Sequence, residues 1–323
     1  GEEQEEVREK GGVRTGCVGT GYGGERQKEV PGSDGSCGTG SYESVVDAAN
    51  AARGGHKAAY MADMASAARE GGRDRLTPPY TAYFKIAEGC ANRCGYCIIP
   101  KRRGPYRSRE MEALLEEARE LADAGVKELI VIAQDITKYG MDLPEHKRLL
   151  PELLRALCKL DFTWVRLHYL YPDQITDELI DVIATEPKVV KYLDIPLQHV
   201  SKRILRAMHR PGDGEEFAAL IAMLRERIPG LVLRTSLIVG LPGETEEEFA
   251  ELCSFLQETQ IERVGVFEFS PEEGTEAAGL PDQIDPEVKA QRRLIVVELQ
   301  SGVLDAYNTS RNGETMHVLC DAF

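Results

Sequence analysis

Three cysteines separated by three and two residues are the residues of this chain best suited to metal chemistry. Cys90, Cys94 and Cys97 form a C-x3-C-x2-C pattern within one short segment. A structural zinc site needs four ligands, usually from two C-x2-C pairs, and no fourth cysteine or histidine follows at the expected spacing. Three thiolates on one loop can instead hold a four-iron, four-sulfur cube and leave one iron open to a ligand. We favour the cube over zinc and over unrelated thiols.

A run of basic residues follows these cysteines along the chain. Its arginines include Arg103, Arg107 and Arg109. A charge cluster is usually a solvated loop, which is one interpretation of this run. The run nevertheless lies beside the proposed cluster loop and would face whatever enters the site, so we interpret the three arginines as candidate substrate-facing residues.

The elements that must position these residues follow from the hydrophobic pattern. From Leu76 onward, short aliphatic runs alternate with longer amphipathic segments, which is typical of repeated strand–helix units and a parallel sheet. The predicted strands are Ala82–Ala87, Glu128–Ala133, Trp164–His168, Val189–Asp194, Leu231–Ile238 and Arg263–Phe269. Six units favour an α/β fold with a partial (β/α)6 TIM-like barrel, whose site lies at the carboxyl ends of the strands.

Helices are predicted between these strands and after the last one. Their apolar residues recur at three-to-four spacing, and several begin with a capping residue followed by acidic side chains. The predicted helices are Met111–Ala124, Leu149–Leu160, Thr176–Ala184, Glu215–Arg227, Glu246–Gln257 and Pro286–Tyr307. A further strand is expected at Glu314–Leu319, close to the end of the chain.

The first 75 residues have a different composition. They contain no Leu, Ile, Phe or Trp but hold 16 of the 31 glycines. Because so few apolar side chains are present to build a core, we expect no independent domain there. Gly19, Gly21 and Gly24 match the pattern G-x-G-x-x-G, but no convincing strand precedes them, so a dinucleotide site is not predicted.

The overall composition excludes several classes of protein. Lys and Arg total 39 against 54 acidic residues, so the net charge of -15 disfavours a nucleic-acid-binding surface. No apolar run approaches the ~20 residues of a membrane-spanning helix, and no membrane partner is expected. Since no secretion signal is apparent either, we expect a cytoplasmic protein whose eight cysteines are free thiols or metal ligands.

The cysteine spacing, placed directly after the first predicted strand, resembles that of the radical S-adenosylmethionine enzymes. Within that superfamily, five segments resemble the methylthiotransferases, and the match covers about residues 81 to 310. These segments are Tyr83–Cys90, Ile98–Arg109, Ala133–Gly140, Leu193–His199 and Ile238–Thr245.

Three sequence features resemble one branch of these enzymes, the RimO type, which methylthiolates an aspartate of a small-subunit ribosomal protein. They are Ala-Gln-Asp at 133–135, Leu-His-Tyr-Leu-Tyr-Pro-Asp at 167–173, and Tyr-Leu-Asp-Ile-Pro-Leu-Gln-His at 192–199. The transfer-RNA branch usually has Gly-Gln-Asn and Ser-His-Pro at the first two places. The resemblance therefore favours the ribosomal-protein branch.

This resemblance implies two cofactors. A [4Fe-4S] cluster would be held by Cys90, Cys94 and Cys97, and S-adenosyl-L-methionine would bind its open iron and be cleaved reductively to a 5'-deoxyadenosyl radical. Members of the family also hold a second [4Fe-4S] cluster with three cysteines of a preceding domain. Only Cys17 resembles one of those three, and Cys37 lies at an unexpected place.

The same resemblance implies three domains. Residues 1–75 would be an incomplete amino-terminal methylthiotransferase domain and linker. Residues 76–310 would form the radical S-adenosylmethionine barrel, and residues 311–323 would begin a truncated, TRAM-like β-barrel. The amino-terminal domain and the carboxyl-terminal β-barrel are thus both expected to be incomplete in this chain.

Polar residues after the predicted strands are candidates for binding the methionine half of the cofactor. A zwitterionic methionine needs both donors and an acceptor at the carboxyl edge of the sheet. The candidate binding residues are Gln134, Gln198 and Arg234, with Asp135 as acceptor for the amino group. His168 and His199 also follow strands and are candidates either for lining the cavity or for packing in the core.

The leading hypothesis is a methylthiotransferase that modifies the β-carbon of an aspartate in ribosomal protein S12. The acidic balance suits a basic ribosomal protein as substrate, and the chemistry requires a reducing partner such as flavodoxin or ferredoxin. We expect a monomer and no nucleic-acid partner. Two alternatives stay open: a transfer-RNA adenosine methylthiotransferase, and a truncated cluster-binding remnant without sulfur-transfer activity.

Replacing Cys94 by Ala should remove the reconstituted cluster, because the cube then loses one of its three thiolates. The control is Cys158→Ala, which changes a cysteine on the apolar face of a predicted helix and should leave the iron content unchanged. Iron and sulfide analysis after anaerobic reconstitution measures both variants. Full iron content in Cys94→Ala would contradict the assignment.

Overall fold

The computed structural model describes residues 12–22, 34–64 and 76–320. The chain divides into two units, one with residues 1–70, 88–92 and 98–107 and the other with residues 71–87, 93–97 and 108–323. The amino-terminal unit thus includes two segments from beyond the predicted boundary near residue 76. They join it because Thr39 Oγ1 donates to the Arg102 carbonyl at 2.6 Å and Arg103 pairs with Glu88 at 2.8 Å.

Three short parallel strands form the sheet of the amino-terminal unit, in the order β1-β2-β3. Its elements are β1 (Val13–Thr15), α1 (Gly16–Tyr22), β2 (Gly35–Cys37), α2 (Val45–Arg53), β3 (Ala58–Tyr60) and α3 (Ile99–Arg103). This unit buries several small side chains, although its sequence offers few large apolar ones. Small side chains such as Cys37 and Ala48 are fully buried here, because short side chains let helix and sheet approach closely.

A strand precedes the glycine-rich segment, which corrects the prediction that no strand does so. Gly19 and Gly21 lie within α1, directly after β1, and Gly24 lies outside the described residues. A Cβ atom at Gly19 would lie 2.0 Å from the Cys37 carbonyl oxygen. Glycine at this position is therefore explained by the close approach of α1 to β2.

The second unit contains a six-stranded parallel sheet in the order β11-β10-β9-β8-β7-β4. The six strands of this sheet are β4 (Thr81–Lys85), β7 (Glu128–Ile132), β8 (Trp164–Leu167), β9 (Val189–Asp194), β10 (Val232–Val239) and β11 (Arg263–Glu268). Two further short strands, β5 (Ala87–Glu88) and β6 (Arg107–Ser108), form a separate two-stranded sheet. β4 and β11 are edge strands, so the sheet is an open, partial barrel. All six predicted strands of the barrel are confirmed.

The helices of this unit are α4 (Met111–Asp123), α5 (Leu150–Leu157), α6 (Asp177–Thr185), α7 (Lys202–Ala207), α8 (Gly214–Arg227), α9 (Glu246–Thr259) and α10 (Pro286–Ser310). Six of them were predicted, and their ends lie within three residues of the predicted ones; the short helix α7 was not predicted. The predicted caps are present: Thr176 Oγ1 accepts from the Leu179 N–H, and Thr245 and Glu248 form a capping box. None of the described helices has the length and apolarity to cross a membrane.

The two faces of the sheet have different surroundings. Along β10, buried residues alternate with half-buried ones, and the buried set includes Leu233 and Leu237. α6 packs against β9 and α10 packs against β11, so helices cover the outer face. The inner face carries half-buried polar residues such as Arg234 and Ser236. The sheet therefore leaves a polar inner surface accessible.

The strand predicted at Glu314–Leu319 is absent from the structure, which has no regular element between residues 314 and 320. α10 ends at Ser310, and the chain after it is mostly exposed. A strand needs a partner for its backbone hydrogen bonds, and no neighbouring strand is present for this segment in the part of the chain described.

Replacing Leu167 by Ala should lower the free energy of unfolding by about 2–5 kcal/mol, because the substitution leaves a cavity under the helices. Leu167 lies on β8 and is fully buried. The same substitution at Leu294, which is 58% exposed on α10, is the control and should change the stability by less than about 0.5 kcal/mol. Urea unfolding of both variants tests the packing, and equal losses would contradict it.

Candidate functional site

The loop that carries Cys94 and Cys97 is fixed at its centre. The Gly95 N–H donates to the Met208 carbonyl at 3.0 Å, and the Gly95 carbonyl accepts from the Ala277 N–H at 2.9 Å. The Tyr96 ring packs against a buried cluster formed by Ile204, Met208, Leu241, Phe269 and Ala277. The Cys97 N–H donates to the Cys94 carbonyl at 2.9 Å and closes a turn. Both cysteines therefore lie on a loop with a defined backbone.

Cys90 belongs to the amino-terminal unit and is held there by its own contacts. Its N–H donates to the Gly104 carbonyl at 3.2 Å, and its Sγ accepts from the Asn92 N–H at 3.4 Å. Gly89, with a φ of 78°, precedes it, and a Cβ atom there would lie 2.0 Å from the Pro105 carbonyl oxygen. Only glycine fits this turn without a shift of the backbone.

Polar groups surround the Cys94 sulfur. Arg210 Nη1 donates to Sγ over 3.7 Å, and the Tyr171 hydroxyl lies 3.5 Å from Sγ. The Arg210 guanidinium also lies 4.3 Å above the centre of the Tyr171 ring. Burial raises the pKa of the Tyr96 and Tyr171 hydroxyls well above their usual value, so both are neutral donors at neutral pH. Both hydroxyls can therefore donate a hydrogen bond towards the Cys94 sulfur.

The donor set of three cysteine thiols is of the chemical type that holds an iron–sulfur cluster. All eight cysteines are free thiols, and Cys90, Cys94 and Cys97 are half-buried. Among the described residues, no three His, Cys, Asp or Glu side chains converge closely enough to hold one ion. Hydrogen-bond donors beside a cysteine sulfur are also typical of iron–sulfur sites.

An ion pair lies on the inner face of the sheet where β9 ends. Asp194, only 1% exposed, accepts from Arg234 Nη1 at 2.7 Å, and its other oxygen lies 3.4 Å from His168 Nδ1. Arg234 also donates to Ser236 Oγ at 3.1 Å. The carboxylate thus holds two nitrogen-bearing side chains in place at the edge where a cofactor is expected.

A second pair lies deeper on the same face. Arg166 Nε donates to Glu128 Oε1 at 2.7 Å, and the Arg166 guanidinium lies 5.2 Å above the Tyr192 ring. The His168 and Tyr192 rings are 5.8 Å apart between their centres. Together these contacts connect β7, β8 and β9 by side chains as well as by backbone hydrogen bonds, which makes the inner surface rigid and polar.

The predicted cofactor-binding residues have different environments. Gln134 follows β7, and its Oε1 is buried without a hydrogen-bond partner among the described residues. Gln198 has a φ of 73°, and its backbone bonds to Ser236 and Ile238 of β10. Asp135 is buried, and its Oδ1 accepts from the N–H and hydroxyl of Thr137. Asp135 therefore stabilises the turn after β7, whereas Gln134 Oε1 accepts no hydrogen bond from the described residues.

The three arginines expected to face a substrate make different contacts with neighbouring residues. Arg103 pairs with Glu88, and Arg107 donates to the Arg103 and Pro105 carbonyls. Arg109 pairs with Glu117 at 2.7 Å and donates to the Lys85 carbonyl at 3.0 Å. The Arg109 guanidinium is therefore held in a half-buried ion pair, and its role as a substrate-facing residue stays a prediction.

His199 packs in the core, and His168 lies on the inner face of the sheet. The His199 ring is fully buried, and its Nδ1 accepts from the Ser201 N–H at 3.0 Å. Its Nε2 has no hydrogen-bond partner in the described part of the chain and lies 4.0 Å from Glu244 Oε2. Burial lowers the pKa of His199 from 6.5 to about 4. The residue is therefore neutral at neutral pH.

Sequence reasoning missed Tyr171, Asp194 and Arg210. Asp194 carried a usable signal, because it ends a predicted strand at the same edge as His168. Tyr171 follows β8 within the motif at 167–173, whose pattern indicates a family branch but no role for this tyrosine. Arg210 had no local signal, because its contact with Cys94 joins residues 116 positions apart.

Comparison with known proteins identifies relatives over nearly the whole chain. The Radical SAM superfamily model matches residues 84–256. "Ribosomal protein uS12 methylthiotransferase RimO" of Caldanaerobacter subterraneus subsp. tengcongensis is 47% identical over 309 residues, covering 95% of this chain and 70% of the relative. The protein of the same name from Pelotomaculum thermopropionicum is 47% identical over 313 residues, covering 95% of this chain and 69% of the relative.

Solved structures share the fold at low sequence identity. The radical S-adenosylmethionine methyltransferase TsrM from Kitasatospora setae, with cobalamin and a [4Fe-4S] cluster bound, matches with a TM-score of 0.51 and 18% identity, covering 61% of this chain and 38% of TsrM. Coproporphyrinogen III oxidase (HemN) from Escherichia coli, a radical SAM enzyme, matches with a TM-score of 0.50 and 19% identity, covering 72% of this chain and 54% of HemN. The partial-barrel fold is thereby confirmed.

Acidification should destabilise the protein through His199. The imidazole is neutral when folded but takes up a proton near pH 6.5 when unfolded, so stability is lost as the pH falls from about 6.5 to about 4. Between pH 7 and pH 5 we expect a loss of about 2 kcal/mol from this group. Urea unfolding at both pH values measures it. His199→Asn keeps an acceptor for Ser201 and should lose less stability over this interval; an equal loss would contradict the assignment.

Proposed function

Since this chain belongs to the radical S-adenosylmethionine superfamily and to its ribosomal protein uS12 methylthiotransferase family, we propose that it attaches a methylthio group to an aspartate of uS12. The site of attachment is the β-carbon of the aspartate side chain. The observation that carries this proposal is the identity of 47% over 95% of the chain. The three-cysteine loop of the partial barrel supplies the chemistry that such a transferase needs.

Cys90, Cys94 and Cys97 hold the [4Fe-4S] cluster in this proposal. When bound together, the cluster and S-adenosyl-L-methionine supply a one-electron cleavage whose product can take hydrogen from an unactivated carbon. The protein's own part is to fix the loop and to exclude water. The paired backbone hydrogen bonds of Gly95 and the buried Tyr96 ring do the first of these. Arg210 and Tyr171 cover the Cys94 sulfur.

Four residues are assigned to the methionine half of S-adenosyl-L-methionine. The unfilled Gln134 Oε1 can accept from its ammonium group. Arg234, held by Asp194, can donate to its carboxylate, and the Gln198 amide offers both a donor and an acceptor. Asp135 caps the following turn through its side chain and remains the candidate acceptor for the amino group. The assignment of Gln134, Gln198 and Arg234 rests on these free or oriented polar atoms.

The amino-terminal unit is assigned to the family's methylthiotransferase domain. Cys17, in the first turn of α1 and half-buried, would be one ligand of the second [4Fe-4S] cluster. Arg103, Arg107 and Arg109 remain the candidate substrate-facing residues. The net charge of -15 suits the basic protein that a ribosomal substrate would be. A low-potential electron carrier such as flavodoxin or ferredoxin is the reducing partner in this proposal.

We predict that the anaerobically reconstituted protein adds a methylthio group to the target aspartate of a uS12 peptide. It is given dithionite as electron donor, inorganic sulfide as the source of sulfur, and S-adenosyl-L-methionine as the source of the methyl group and of the radical that removes the hydrogen atom. Mass spectrometry of the peptide and quantification of 5'-deoxyadenosine in the same reaction measure the two halves of the chemistry. Cys94→Ala should reduce both products to background, because the cluster loses a ligand. Cys158→Ala, the matched control, should retain both.

Each outcome of this experiment has a defined meaning. Methylthiolated peptide together with 5'-deoxyadenosine supports the proposed transferase. 5'-Deoxyadenosine without modified peptide contradicts methylthio transfer by this chain while retaining the assignment of the cluster and cofactor. Absence of 5'-deoxyadenosine despite full iron content contradicts the enzyme and favours a cluster-binding protein.

A further inference from the structure

We infer that Arg210 and Tyr171 are positioning residues that raise the reduction potential of the cluster through the Cys94 sulfur. The inference rests on the proposed function, because it requires Cys94 to be a cluster ligand. It goes further in assigning an electrostatic role to two residues that lie outside the cysteine motif.

Arg210 is a buried cation without a carboxylate partner. Its side chain is 4% exposed, and among the described residues no carboxylate oxygen lies within 4.0 Å of its nitrogens. Its Nε has no hydrogen-bond partner in the same part of the chain. A buried charge is costly unless an opposite charge lies close by. The group beside it that can carry that charge is the Cys94 sulfur, 3.7 Å from Nη1.

The guanidinium is held in place by contacts that do not involve Cys94. Nη2 donates to the Pro196 carbonyl at 2.6 Å, and the backbone N–H of Arg210 donates to the Leu205 carbonyl at 2.8 Å. The Tyr171 ring lies below the guanidinium at 4.3 Å. Because these contacts fix the cation independently of the sulfur, the fold presents a preorganised positive charge to Cys94.

Tyr171 contributes a second polar group to the same sulfur. Its hydroxyl lies 3.5 Å from Cys94 Sγ, and its backbone precedes the short helix Pro172–Gln174 after β8. The hydroxyl can donate to the sulfur while the ring supports Arg210. Tyr171 therefore acts on Cys94 directly through its hydroxyl and indirectly through its ring.

These two residues should stabilise the reduced cluster more than the oxidised one. Reduction moves one electron from the reductant to the cluster and adds one negative charge to the iron–sulfur–thiolate unit. A nearby cation attracts that added charge strongly in a buried site, where the effective dielectric constant is low. Hydrogen bonds to the sulfurs and the net charge around a cluster are recognised determinants of its potential. Loss of either residue should therefore make reduction less favourable.

The test is a potentiometric titration of the cluster-loaded protein, followed by electron paramagnetic resonance without S-adenosyl-L-methionine. Arg210→Met keeps an apolar stem but removes the charge, and should lower the equilibrium constant for reduction about tenfold or more, a shift of about 59 mV for one electron. Tyr171→Phe keeps the ring under Arg210 and should lower it by a smaller factor. The matched control is Arg206→Met, because Arg206 is exposed on α7 and lies four residues before Arg210; its potential should be unchanged.

Iron content and thermal unfolding are measured on the same samples, so that loss of structure is not mistaken for a change in potential. Wild-type potentials in iron-replete Arg210→Met would overturn the inference. If Arg210→Met does not take up iron, the reduction potential of the cluster in Tyr171→Phe provides the test. A lowered potential in that variant supports the inference, and an unchanged potential overturns it. Full iron content in Cys94→Ala would instead contradict the proposed function, whichever potentials the other variants give.

Discussion

The parallel direction of the six barrel strands is the constraint on which the site depends. Parallel strands end at the same edge of a sheet, so the residues that follow them meet there even when they are far apart in sequence. Gln134 follows β7, Tyr171 follows β8 and Asp194 ends β9. The helices cover the outer face of the sheet and bury its apolar side chains. The inner face can therefore carry charged and polar side chains.

Those inner charges are arranged in pairs because isolated charges on a half-buried surface are unfavourable. Asp194 binds Arg234, and Glu128 binds Arg166. Such pairs contribute little net stability, since desolvation offsets most of the attraction between the partners. Their effect is geometric: each pair restricts the rotamers of a long cationic side chain. The inner face therefore presents fixed donors to a bound molecule rather than mobile ones.

Sequence patterns predicted the barrel well because its strands are aliphatic and its long helices are amphipathic and capped. The short helices α3 and α7 were missed, since five or six residues cannot display helical periodicity. Apolar patterning did not indicate the burial in the amino-terminal unit, because the buried residues are small, such as Ala48. In the site, the cysteine spacing was evident from local sequence, whereas the contact of Arg210 with Cys94 depends on tertiary structure and has no local pattern.

The two backbone hydrogen bonds of Gly95 also bear on when the metal site can be assembled in the cell. The partners, Met208 and Ala277, are synthesised long after the loop itself leaves the ribosome. Until the second half of the barrel has been translated and folded, the segment between Cys94 and Cys97 lacks both anchors. Iron delivered to the nascent chain would meet flexible thiols, and only iron delivered after translation would meet a formed binding loop. The order of synthesis thus places the anchoring of this loop late in the production of the chain.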